Sequence, residues 1–448
     1  MNWTLRKTAL GLIAVTAGFA LFYIFFTQKK TVNRSDALNT EILQEYHKLY
    51  LKLESSDYYA SPVFSSINLF VLNSVSKKIA ECFEVITTFE DCTNDFELTR
   101  YAEENHSFPF AYNAALNETL KLIFQNRLKN TDKELLSIQE RLLKKIKSYD
   151  NPDKATIEKS EEAGNRVANA IFKKLMPEKY YKDYMEITKD SIYIANSCNG
   201  FANYYTENWV RSPLKYASYI GNHFFDDLYK MDYFDDISIT ESEKYREATE
   251  VMALSNPLSK ENKWIAEFWS DDHPGVTFTP VTRWFSILHQ IIEKEKLPFD
   301  KAMECYYLLS LGVYETTVQT WILKYRFLEE RPSVYIKRNI SKYWEPFHPN
   351  PHFPSYPSGH SAFGACAYKI LEHYFGSNYA FTDNSHKGQK AFMGEPRSFN
   401  SLEEMAIENA NSRLYLGVHY RKDCEAGFKL GVTVADKILS IYKNKAAT

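Results

Sequence analysis

Three stretches in the last third of the chain combine residue types that could hold and transform a small anion. The first is Lys324 with Arg331, seven positions apart, the arginine followed by Pro332. On a continuous helix that spacing places both cations on one face, and Pro332 predicts that the helix stops there, with Arg331 near its C-terminal end. The second is Pro357-Ser358-Gly359-His360 before the apolar run SAFGACAYKILEHYF, which is helix-start chemistry. Free backbone N–H groups at such a start attract anions. Gly359 lets an oxyanion approach the backbone, Ser358 offers a hydroxyl, and His360 points into the same space. The third is Ser412-Arg413 followed by His419 and Asp423, whose spacing of four suits a hydrogen bond that fixes the imidazole tautomer if the segment is helical. Each stretch alone has an ordinary structural explanation. In combination, three cations, a Ser–Gly helix start and two histidines suit a tetrahedral, highly charged oxyanion, with arginine forks on its oxygens and imidazole for bonding and proton transfer.

The elements that position these residues read as helices. The chain has 448 residues, of which 15 are Gly and 16 Pro, about 7% against an average nearer 12%. Helical patterning spans 37–60, 110–148, 161–175, 241–254, 260–270, 281–294, 299–330, 359–375, 400–411 and 422–442. The Lys- and Glu-rich stretch 130–162 reads as solvated helix surface around an Asn151-Pro152-Asp153 loop, and 200–245 has no clean period. No sustained alternation marks a strand, so the expected fold is all-α. Aromatics reach 15%, enough for a large core. A net charge of −3 without long one-sign runs gives no nucleic-acid footprint.

A mean hydropathy of −0.42 excludes a multi-span membrane protein. Thr8 to Phe26 nevertheless forms 19 uncharged, mostly apolar positions between Arg6/Lys7 and Lys29/Lys30. That length favours an uncleaved membrane anchor over a signal peptide, and either implies export to the periplasm or cell envelope. Six cysteines show no metal-binding spacing. Cys82–Cys92 is the one sequence-local disulfide candidate, and buried thiols are the expectation for most of them.

The ordered pattern Lys324-x6-Arg331-Pro332, Pro357-Ser358-Gly359-His360, Ser412-Arg413-x5-His419-x3-Asp423 resembles the signature of the phosphatidic-acid phosphatase type 2 and vanadium haloperoxidase superfamily, gaps of 24 and 51 residues included. Weaker resemblance reaches back through Arg283-Trp284, Phe268-Trp269-Ser270-Asp271 and the Trp209 region to about Gly164; residues 31–160 are not covered. The Glu261–Trp284 stretch looks like bacterial haloperoxidase sequences. Trp321 and Phe353 are the residue types of the chloroperoxidase-like branch, where algal bromoperoxidases resemble Arg and His.

The resemblance implies two packed helical bundles, divided here as 1–30 (anchor or signal), 31–235 (N-terminal helical domain) and 236–445 (catalytic bundle). It implies vanadate as cofactor, held by Lys324, Arg331, Ser358, Gly359 and Arg413, with His419 as the one covalent protein ligand to the metal and His360 as acid–base residue. Hydrogen peroxide and halide, iodide or bromide before chloride, are the implied substrates. Asp271, with Asp272 as neighbour, is the candidate partner for Arg413, and Trp321 and Phe353 are candidates for a halide pocket beside Asp423. The alternative within the superfamily is a phosphatase acting through a phosphohistidine at His419. At most one membrane span and a body about twice the length of the soluble acid phosphatases favour the haloperoxidase.

Overall fold

A computed structural model of the chain describes residues 34–56, 62–86, 100–101, 105–124, 131–176, 192–193, 209–210, 241–271, 276–351 and 353–446. The Thr8–Phe26 stretch, Cys92, Cys198, Asp272 and both expected domain boundaries lie outside them. Among the described residues no helix is long and apolar enough to cross a membrane.

The fold is all-helical. Five helices form the N-terminal part: α1 Arg34–Ser56, α2 Pro62–Cys82, α3 Phe108–Phe124, α4 Thr131–Tyr149 and α5 Lys154–Leu175. Asp153 caps α5 by accepting from Thr156 N at 2.7 Å, which ends the Asn151-Pro152-Asp153 loop where the sequence puts it. Strands β1 Ile192–Tyr193 and β2 Trp209–Val210 pair antiparallel. The C-terminal part holds α6 Glu241–Ser255, α7 Lys260–Phe268, α8 Thr282–Glu295, α9 Phe299–Phe327, α10 Pro332–Asn339, α11 Gly359–Phe375, α12 Leu402–Tyr415 and α13 Arg421–Ala446. A small hairpin, β3 Phe381–Asp383 with β4 Arg397–Phe399, interrupts it.

The long helix α9 joins the two parts, packing on α1 and α2 on one side and on α11 and α13 on the other. Phe70 of α2 stacks on Tyr314 of α9 at 5.0 Å. Helix α2 is buried along its whole length, Lys77 and Glu81 included, and those two pair at 2.5 Å. It has no solvent face and hence no apolar stripe, which is why the sequence pattern misses it.

Glycines let α13 cross α11 closely. A Cβ on Gly431 would stand 2.1 Å from Ala362 O, and one on Gly427 would stand 2.3 Å from Ser358 O. The crossing fixes the start of α11 against the first turns of α13.

One expected helix is corrected. The 299–330 helix ends at Phe327, because Leu328 takes a left-handed conformation (φ 51°) while its N–H bonds back to Lys324 O at 2.9 Å. Pro332 does not terminate that helix; it opens α10 at a position where a missing N–H costs nothing, with Arg331 as the capping residue before it. Lys324 and Arg331 therefore do not share a helix face. They reach one place from the end of one helix and the start of the next.

Candidate anion site

Helix ends converge on His419. It lies two residues before α13, and its Nδ1 is 3.2 Å from Asp423 Oδ2 in the first turn of that helix. The pairing is the expected one, but a helix start makes it, not a helix interior: the same oxygen accepts from Tyr420 N at 3.0 Å and from the Ser355 hydroxyl. On the opposite edge of the ring, Arg331 Nη1 donates toward Nε2 at 2.9 Å. These neighbours assign the proton to Nδ1 and a lone pair to Nε2. Burial, then Arg331, Lys324, Arg413 and His360, hold the imidazole well below its ordinary pKa, so it is neutral near pH 7. Arg331, Lys324, Arg413 and His360, which the sequence places near one anion, thus all act on His419.

Each cation is anchored by backbone carbonyls. Lys324 Nζ donates to Pro354 O (2.8 Å), Ser355 O (3.0 Å) and Pro357 O (2.6 Å), which uses all three ammonium protons. Burial and then Arg331 push Lys324 well down, against the pull of Asp423. Arg331 spreads its donors over Phe353 O and Val418 O besides His419. Arg413, in the last turn of α12, donates Nη1 to Trp269 O at 3.1 Å. Ser358 caps α11, accepting from Ser361 N at 3.4 Å, and its own N–H bonds to Asp423 O at 2.9 Å. His360, in the first turn, is 7% exposed where Lys324 and Arg331 are 0%. A Cβ on Gly359 would meet only ordinary van der Waals neighbours, Phe363 at 3.4 Å and the Trp321 ring at 3.7 Å, so packing does not demand glycine there.

Trp321 and Phe353 line the cationic side, their rings 5.2 Å apart, with Lys324 5.1 Å and Arg331 5.3 Å from the Phe353 centroid. The Asp271 carboxylate lies 4.0 Å from Arg283 and 3.7 Å from His386, and Arg413 donates to the carbonyl of Trp269 in the same turn. Sequence reasoning missed Ser355, although it precedes Ser358 by one helical spacing, and gave no role to Arg283, whose partners come from distant segments. Cys305, Cys366 and Cys424 are buried free thiols, as expected, and so is Cys82, which the sequence offered as a disulfide candidate with Cys92.

The donor set suits an oxyanion. Two guanidinium groups, an ammonium and a second imidazole lie near the neutral His419 ring, whose Nδ1 edge faces the Asp423 carboxylate. Among the described residues no grouping of His, Cys, Asp or Glu could hold a bare metal ion. The buried cations around His419 suit an oxyanion whose charge they can neutralise.

The family model for the second helical-bundle domain of vanadium chloroperoxidase matches residues 304–447. Residues 304–447, about a third of the chain, are thus similar to a helical-bundle domain of vanadium chloroperoxidase. Vanadium chloroperoxidase of Curvularia inaequalis is 25% identical over 131 residues; the match covers 22% of this chain and 22% of that protein. Among solved structures, a bacterial vanadium-dependent iodoperoxidase superposes with TM-score 0.72 at 23% identity, over 91% of this chain and 96% of its own. The holo form of a bacterial vanadium-dependent chloroperoxidase superposes with TM-score 0.60 at 15% identity, over 87% and 94%. The family's fold thus extends across both helical parts of the chain.

Proposed function

We propose that this chain uses vanadate to oxidise halide, iodide or bromide before chloride, with hydrogen peroxide, releasing a hypohalous species. One observation carries the reading: a neutral His419, its Nε2 lone pair turned toward the Arg331 guanidinium, stands among the buried cations Lys324, Arg331 and Arg413. The fold shared with haloperoxidases and the Trp321–Phe353 pair beside the cations support it against the phosphatase alternative. Likeness to an iodoperoxidase over nine-tenths of the chain supports the halide preference. The apolar 8–26 stretch supports export to the cell envelope.

Bound vanadate supplies a high-valent, Lewis-acidic centre on which peroxide becomes electrophilic toward halide. The protein's part is positional and electrostatic. His419 Nε2 would bind the metal, its tautomer set by Asp423. Arg331 and Arg413 would neutralise the charge of the vanadate oxygens, with the Ser358 hydroxyl and the Gly359 N–H beside them. Lys324, held by its three carbonyls, acts as a fixed charge that also braces residues 354–357. Oxidising one halide consumes one proton along with one peroxide. His360, the most exposed of the site's ionisable groups, would take a proton from incoming peroxide and return it to the departing oxygen, the further proton coming from solvent.

The test is an add-back assay. Metal-free protein is given hydrogen peroxide and iodide, bromide or chloride in turn, with and without orthovanadate. Vanadate-dependent oxidation that ranks chloride last is expected. No such oxidation, alongside hydrolysis of a phosphomonoester, would assign the pocket to the phosphatase chemistry, with His419 Nε2 as nucleophile.

A further inference from the structure

A fourth buried cation stands behind the site. Arg283 is fully buried in the first turn of α8, where the helix dipole is positive and a cation is unfavourable. Its Nη2 is 2.8 Å from Asp383 Oδ2 of the hairpin, and its Nη1 is 4.0 Å from Asp271. The guanidinium lies 4.5 Å from the Phe268 ring centroid and 5.0 Å from that of Trp269. Trp269 is held elsewhere as well. Its indole N–H donates to Glu408 at 2.9 Å, Arg397 grips both oxygens of that carboxylate, and Trp284 stacks on it at 6.0 Å.

Trp269 also ends α7, so its carbonyl belongs to the electronegative end of that helix, where carbonyls lack helical partners. Arg413 donates to it. The Trp269 ring is thus pinned by Arg283 and Glu408, and its carbonyl aims the guanidinium that the anion needs.

We propose that Arg283, paired with Asp383, is a positioning residue for the anion site: it fixes Trp269 and through it the orientation of Arg413. The inference rests on the reading of the site as an oxyanion pocket, not on which reaction runs there. An arginine this deep could have served packing alone. The distinguishing property is coupling, since a residue that acts through Arg413 has nothing left to do once Arg413 is gone.

The test is a double-mutant cycle on the full chain, reading the affinity for orthovanadate and for inorganic phosphate by titration calorimetry. Arg283→Met should weaken both anions tenfold or more in the wild-type background and less than twofold in an Arg413→Met background. Asp383→Asn should act in the same direction more mildly, and it serves as the readout if Arg283→Met does not fold. Equal losses in both backgrounds, or wild-type affinity in the folded Arg283→Met or Asp383→Asn protein, overturns the positioning role and leaves the anion pocket standing. Failure of the wild-type chain to bind either anion overturns the pocket and the positioning role with it.

Discussion

Loading the pocket with anion should raise the melting temperature, because the folded chain buries three cations whose charges repel one another. Lys324 and Arg331 are fully buried and Arg413 is 1% exposed, and Asp423 is the carboxylate in contact with His419. An oxyanion bound by the folded state alone contributes RT ln(1 + [L]/Kd), about 2.7 kcal/mol at a hundredfold excess over Kd. Unfolding entropy of about 2.1 cal/mol/K per residue gives about 0.9 kcal/mol/K for 448 residues, so the midpoint rises by about 3 °C if the chain melts as one unit. Melting of the C-terminal helices by themselves would roughly double the shift, since the same free energy is divided by about half the entropy. The assay is scanning calorimetry at fixed pH with orthovanadate titrated to saturation and phosphate in parallel. His419→Ala removes the nitrogen lone pair and Arg413→Met one of the charges, so in each the shift should fall to a third or less. Equal melting temperatures with and without saturating vanadate and phosphate would refute the reasoning. So would a full shift that survives both substitutions.

Gly427→Ala puts a Cβ 2.3 Å from Ser358 O, so α13 must retreat from α11; a stability loss of about 1–3 kcal/mol is expected in urea titrations, with phosphate affinity down at least tenfold as Ser358 and Asp423 part. His360→Ala should leave anion affinity within tenfold while lowering turnover by about 10²–10⁴; equal losses in both would refute its role as proton carrier. Burial alone pushes Glu315 up to about 8 from 4.5, so the folded chain holds a proton there that the unfolded chain releases. Its stabilising contribution is complete below pH 4.5 and is lost as pH rises through 8, at most about 5 kcal/mol. Glu315→Gln should flatten that slope in urea midpoints taken at pH 5 and pH 9, and an unchanged slope would exclude Glu315 as its source.

The parts of the site legible in the sequence are those written in helix-end chemistry. Ser358 and Gly359 at the start of α11 and Asp423 in the first turn of α13 are local signals, readable within a few residues, and the structure places them together. The pairing of Lys324 with Arg331 has the right destination by the wrong route, since a left-handed leucine at 328 leaves no mark that glycine would have left. Helix α2 is invisible to periodicity because it is buried on every side, and β3 and β4 are too short to alternate. Arg283 figures in the sequence only as part of a weak resemblance and not as a site residue, because its partners, Asp383 and Trp269, lie in separate segments. The pattern of success has a physical source. The pocket is assembled from ends: the start of α10 at Arg331, of α11 at Ser358 and of α13 at Asp423, and the last turns of α9 at Lys324 and α12 at Arg413. Helix ends carry the orphan N–H and C=O groups that a packed interior must satisfy. Here carbonyls beyond the helices take up Lys324, Arg331 and Arg413, so the backbone that fixes the cations in place is also the backbone that would otherwise lack partners.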